Sequence, residues 1–208
     1  MKVIPDPTGP GQKSVWSYPR PAVAEPIQRR LKIVHRDVII ANTQKGIRTL
    51  ETSHLPTYYF PPAHIAPLVL QPSRRRSFCE WKGEAIYFDV IVRDETLRDV
   101  AWSYPDPNPA FRSLRDHVAF HAWPFDGCFV DDERVTLQPG NFYGGWISSD
   151  VAGPFKGAPG TGFWRWAGSR RAGGGAISWT PGYARSDATE FRRHTAKFSA
   201  VANVTHAR

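Results

Sequence analysis

Short runs in which apolar and polar residues take turns, bounded by proline, glycine or charged pairs, occupy this chain from Leu31 onward. The clearest covers residues 84–92, where Ile86, Phe88, Val90 and Val92 alternate with Ala85, Tyr87, Asp89 and Ile91, the two-residue period of a β-strand with one wholly apolar face. Residues 31–35 and 38–42, separated by Arg36-Asp37, predict a hairpin. Residues 47–52 and 57–60 are further strand candidates, the second ended by Pro61-Pro62. After a turn at residues 93–96 the chain returns through residues 100–102, and residues 118–123 and 128–131 complete an antiparallel set. Residues 111–116 are the one short helix the pattern supports in the body of the chain. Asp131-Asp132 reads as a hairpin turn.

The first 26 residues carry six prolines and predict an extended arm. Its segment Trp16-Ser17-Tyr18-Pro19-Arg20-Pro21 returns as Trp102-Ser103-Tyr104-Pro105-Asp106-Pro107. Each proline stiffens the residue before it, so both copies should present an indole and a phenol from extended chain, whether to close a core or to line a groove. The stretches at residues 144–146 and 153–160 are rich in glycine and proline and predict a loop-built cover.

Composition alters this picture in three places. Of the net charge of +8, +5 falls in residues 167–208, a glycine- and arginine-containing tail without sustained apolar period. It is expected to be disordered, with a short helix near residues 188–199 and at most weak, salt-sensitive attraction to polyanions. Two cysteines, Cys79 and Cys128, with no C-x-x-C pair, indicate neither a disulfide framework nor a zinc ribbon and leave a single bridge as the alternative to free thiols. No run approaches the ~20 apolar residues of a membrane span, and the expectation is a soluble, cytoplasmic protein.

Candidate chemistry gathers before the best strand. Cys79, Trp81, Lys82 and Glu84 place a thiol, an indole, an ammonium and a carboxylate at a strand mouth. Lys82 beside Trp81 would bind an anion or, with its pKa lowered by burial, act as a base. The plain alternative is a bulge at Gly83, a core Trp81 and a surface Lys82/Glu84 pair worth little. His54 and Glu51 near Tyr58-Tyr59 would serve Cys79 as base and orienter respectively, yet no nucleophile elbow or cysteine-protease signature accompanies them. His117 and His121 alone make a poor metal site. Arg74-Arg75-Arg76 reads as a solvated loop, or as a contact for single-stranded nucleic acid. Gly153–Gly162 lacks the spacing of a phosphate loop.

The blocks around Trp16 to Pro21, Glu51 to His54 with Tyr58 to Pro62, Cys79 to Ala85, and Ala101 to Pro107 resemble, in order, the family of domain of unknown function 427, over about residues 15–123. Gly153 to Gly157 resembles an extension of its longer members. The resemblance implies antiparallel sheets, with kinship to β-tent domains in which ligands sit against aromatic residues. Zinc, held in many of those relatives by paired C-x-x-C motifs, does not carry over. The family's nucleotidyltransferase-like label finds no Gly-Ser helix start followed by spaced aspartates here.

The expected fold is therefore all-β, with small antiparallel sheets forming a bent sandwich or β-tent-like domain with one short helix. Its organisation is an arm (1–29), a core domain (30–123), a loop-rich extension (124–166) and the basic tail (167–208). The leading function is a small-molecule or modified-residue binding module without metal or cofactor. Its site residues would be Trp16, Tyr18, Arg48, His54, Tyr58, Trp81, Lys82, Glu84, Trp102 and Tyr104. The alternatives are an enzyme using Lys82, Glu84, Cys79 or His54, and a nucleic-acid-associated protein using Arg74–Arg76 and the tail.

Overall fold

Antiparallel pairing organises nearly all of the chain that the computed structural model describes, residues 3–138 and 144–157. The first strands are β1 (Lys13–Ser14), β2 (Val23–Ile27), β3 (Leu31–His35), β4 (Val38–Thr43), β5 (Gly46–Leu50), β6 (Thr57–Phe60) and β7 (Leu70–Cys79). Then follow β8 (Gly83–Val92), β9 (Glu95–Ser103), β10 (Val118–Phe120), β11 (Gly127–Val130), β12 (Glu133–Arg134), β13 (Thr136–Leu137), β14 (Trp146–Ile147) and β15 (Val151–Ala152). A seven-stranded sheet has the order β2-β5-β6-β10-β9-β8-β7, and a four-stranded sheet the order β12-β11-β3-β4. Two small pairs, β13 with β14 and the parallel β1 with β15, complete an all-β molecule. The basic tail and the short helix expected in it lie outside the described residues, as do residues 139–143 and 158–166 of the extension.

The hairpins follow the alternation. Arg36 and Asp37 both take positive φ, 49° and 61°, the left-handed pair that joins β3 to β4 in a two-residue turn. The expected helix at residues 111–116 is instead a 3₁₀ segment, Pro109–Leu114, kinked at Phe111, because Pro109 admits a tight helical start and too few residues follow to extend it. The run Arg74-Arg75-Arg76 is not a loop but lies within β7. That strand is the sheet's edge, where Pro72, a two-residue bulge between Pro72 and Arg76, and charged side chains are all compatible with pairing on one side only. The proline-rich start is not uniformly extended either: Val15–Ser17 form a 3₁₀ turn, and β2 pairs with β5 as the opposite edge.

The seven-stranded sheet buries side chains on both faces. One face carries Phe60 and Phe120, whose rings meet edge-on at 5.5 Å, with Trp146 6.1 Å from Phe60 and 5.3 Å from Tyr58. Phe125 links Phe120 to His35 on β3, 6.0 Å from each, and so joins the two large sheets. The apolar face of β8 foreseen from sequence belongs here. Its other face, with Ala85 and Tyr87, is buried as well, in a second cluster.

Candidate functional site

Pairing register decides which side chains share that second cluster. Ile47 pairs with Tyr59, Tyr59 with Ala119, Ala119 with Trp102 and Trp102 with Tyr87, so five strands present one continuous row to the same face. Ala85 extends the row, Phe111 and Leu114 from the 3₁₀ segment pack onto it, and Tyr104 follows from the end of β9. Ala24, Cys79 and Trp81 pack against it while partly exposed, and together with Lys82 they mark its open side.

Lys82 reaches this cluster because the turn before β8 is fixed from both ends. Asn108 Nδ2 donates to the Trp81 carbonyl at 2.8 Å and Asn108 N–H to the Lys82 carbonyl at 3.1 Å. Gly83 follows at φ 98°, a conformation that a side chain would strain. The Lys82 ammonium then lies 5.9 Å from the Tyr104 ring centre and 5.7 Å from that of Phe111. Burial alone would lower its pKa, but its polar neighbours Tyr59, Cys79 and Glu51, with a hydrogen bond to Cys79, prevail and raise it, so Lys82 stays a cation. No carboxylate lies within ion-pair distance of it among the described residues. Burial drives the phenols of Tyr59 and Tyr104 upward, so both remain protonated at neutral pH. Tyr59 Oη is fully buried and has no hydrogen-bond partner of normal geometry among the described residues.

Glu51 holds the outer rim. Its Oε1 accepts from Trp81 Nε1 at 3.1 Å and lies 3.8 Å from His54 Nδ1 and 3.9 Å from Arg20 Nη1, whose guanidinium sits 5.6 Å from the Trp81 ring centre. His54 Nδ1 donates to the Thr52 carbonyl at 3.1 Å. Burial lowers its pKa against the pull of Glu51, aided by the charges of Lys156 and Lys82. Beyond Trp102, Ser77 Oγ lies 3.0 Å from Tyr87 Oη and the Arg75 guanidinium 4.5 Å from the Tyr87 ring centre.

Of the residues expected at a site, Trp81, Lys82, Trp102 and Tyr104 converge, and His54 stands at the rim through Glu51. Arg48 and Tyr58 pair with each other on the opposite face, one residue out of phase with Ile47 and Tyr59. Arg48 is bound to Glu25, 2.6 Å away, and Tyr58 belongs to the inter-sheet core. Tyr18 also belongs with Arg48 and Tyr58: burial pushes its phenol up, with Tyr58 adding to the rise and the Arg48 charge opposing it. Trp16 Nε1 donates to the Pro154 carbonyl at 2.8 Å. Glu84 is exposed on the face away from Ala85. Tyr59 and Glu51 were missing from the expected set. Their sequence signal was the Glu51-Thr52-Ser53-His54 and Tyr58-Tyr59 blocks, which name no face. Both cysteines are free thiols, Cys128 buried in β11. No group of three or more His, Cys, Asp or Glu side chains able to hold a metal occurs among the described residues. A hollow of about 270 Å³ bordered by Phe125, Asp126, Cys128, Arg134 and Val135 lies at the four-stranded sheet, away from this cluster. Its one cation, Arg134, already donates to the Asp126 carbonyl.

Fold and cluster together define an all-β protein with an aromatic, lysine-bearing sheet face. A family model described as Domain of unknown function (DUF427) matches residues 23–131, and the chain belongs to that family. The match runs from β2 to the turn after β11 and takes in the cluster from Ala24 to Ala119. No curated protein matches the chain. No helix among the described residues is long and apolar enough to cross a membrane.

Proposed function

We propose that this protein is a small-molecule binding module whose site is the face around Lys82, walled by Tyr59, Trp81, Trp102, Tyr104 and Phe111. One observation carries the reading: a fully buried phenol, Tyr59 Oη, without a hydrogen bond of normal geometry among the described residues, in the field of a lysine with no carboxylate at ion-pair distance. An unpaired buried hydroxyl costs about 1 to 3 kcal/mol, a cost that a ligand oxygen reaching it would offset. Ligand sites are mostly apolar and aromatic with a few convergent polar groups, which is the composition of this cluster. Two free thiols fit a reducing compartment, and the cytoplasm is the proposed location.

The nucleic-acid alternative draws less support, since Arg75 lies on Tyr87 and Arg76 Nη1 donates to the Ser73 and Arg75 carbonyls. Titration of a chemically broad ligand panel against tryptophan emission tests the proposal. The expected result is a saturable change that Trp81→Phe alters and Lys82→Met weakens. Emission flat across the panel, or a change indifferent to both substitutions, would sink it.

A further inference from the structure

Resting on that binding-module reading, we infer the ligand's chemical class: a planar organic monocarboxylate, its oxygens received by the Lys82 ammonium and the Tyr59 hydroxyl and its flat body laid against the surrounding rings.

The argument is an inventory of donors and acceptors. An ammonium only donates, and Lys82 brings the charge that lies against Tyr104 and Phe111, while the guanidiniums of Arg75 and Arg20 lie over the outer rings of Tyr87 and Trp81. Tyr59 and Tyr104, kept protonated by burial, each bring an O–H. The Trp81 indole N–H is already given to Glu51, and Glu51 is engaged on the outer rim by Trp81, Arg20 and His54. Tyr87 Oη is held by Ser77 Oγ, the Cys79 sulfur is hydrogen-bonded by Lys82 and Tyr104, and Ile47, Ala85, Phe111, Leu114 and Ala119 carry no polar side-chain atom. A site that offers donors, one positive charge and apolar walls rejects amines by repulsion and leaves a neutral apolar ligand with Tyr59 still unpaired. It accepts an oxyanion.

Charge and shape narrow that class. A carboxylate has two oxygens for one ammonium and one hydroxyl, and its single charge matches that of Lys82. Inorganic phosphate at neutral pH carries more charge than one lysine balances and has no apolar body for the rings. Rings partly exposed at Trp81 and buried at Tyr104 suit a flat body entering from the side that Cys79, Trp81 and Lys82 leave open.

The experiment follows side-chain resonances of Trp81 and Lys82 by NMR in the full chain while benzoate, 2-naphthoate, their neutral amides and inorganic phosphate are titrated separately. Carboxylates are expected to shift both sets of resonances, with the amides and phosphate at least tenfold weaker. Lys82→Met should abolish the tenfold preference and Lys82→Arg restore most of it, while Tyr59→Phe should weaken carboxylate binding several-fold. Circular dichroism and melting temperature establish that each variant is folded. Amides that bind at Trp81 as tightly as carboxylates would overturn the carboxylate assignment and leave the binding site standing. Phosphate equal to benzoate, or a preference that survives Lys82→Met, would also overturn it. No shift from any of these probes rejects the carboxylate class, and the broader fluorescence panel then decides separately whether the face binds anything.

Discussion

His121 lies in the protein with its ring centre 4.7 Å from that of Trp102, 5% exposed, and with Nδ1 unpartnered among the described residues. Burial, with the Arg75 charge adding to it, pushes its pKa from 6.5 down to about 4. The unfolded chain therefore takes up the proton first as pH falls, and the stability present above pH 6.5 drains away between the two values. Each pH unit inside that window costs about 1.4 kcal/mol, so about 2 to 3 kcal/mol is lost by pH ~4.5. His54, also lowered, acts with the same sign. Urea unfolding of His121→Phe should give a visibly flatter acid limb than the parent, and identical limbs would refute the assignment. Single positions also mark where the sequence was readable. Residue type was enough to single out Lys82, Trp81 and Tyr104, because an ammonium among rings is conspicuous. It could not choose between Tyr58 and Tyr59, neighbours on one strand that point to opposite faces, since the choice depends on the pairing of β6 with β5 and β10.

Among elements, β3, β4, β6 and β8 were legible because each alternates or is cut off by a strong turn signal. β7 was not. As an edge strand it is paired on one side only, so it tolerates proline, consecutive arginines and an outward Phe78 that is 67% exposed, and its pattern averages to that of a loop. β14 and β15, two residues each, are too short to carry a period at all. The packing of β15 depends on the N-terminal segment. Trp16 is 6% exposed and gives its indole N–H to the Pro154 carbonyl, while Lys13 and Ser14 pair with Val151 and Ala152. Trp16→Phe keeps most of the apolar volume and removes the donor, so the expected loss is about 1 to 3 kcal/mol in denaturant unfolding. A midpoint unchanged from the parent would mean that the indole nitrogen contributes nothing to this clasp.

For the molecule as a whole, the joint between the two large sheets is centred on His35. Its Nε2 lies 3.0 Å from Glu95 Oε2 on β9, its Nδ1 lies 3.5 Å from Asp126 Oδ1 without hydrogen-bond geometry, and its ring meets Phe125 edge-on. His35→Ala removes the packing and leaves Glu95 with Arg36 alone, 2.8 Å away. A loss of about 2 kcal/mol is expected, against little change for the exposed Arg74→Ala, both read from guanidinium melts. Equal effects would show that the joint lies elsewhere. Nothing in the sequence set His35 apart, because its partners lie 60 and 91 positions further along the chain and only tertiary pairing brings them together. The clasp at Trp16 spans more, 138 positions. Closing so long a loop is slower than zipping the local hairpins, so the indole of Trp16 reaches its acceptor only after the strands between them have formed. Until Pro154 is in place, that indole is open to chaperones and proteases.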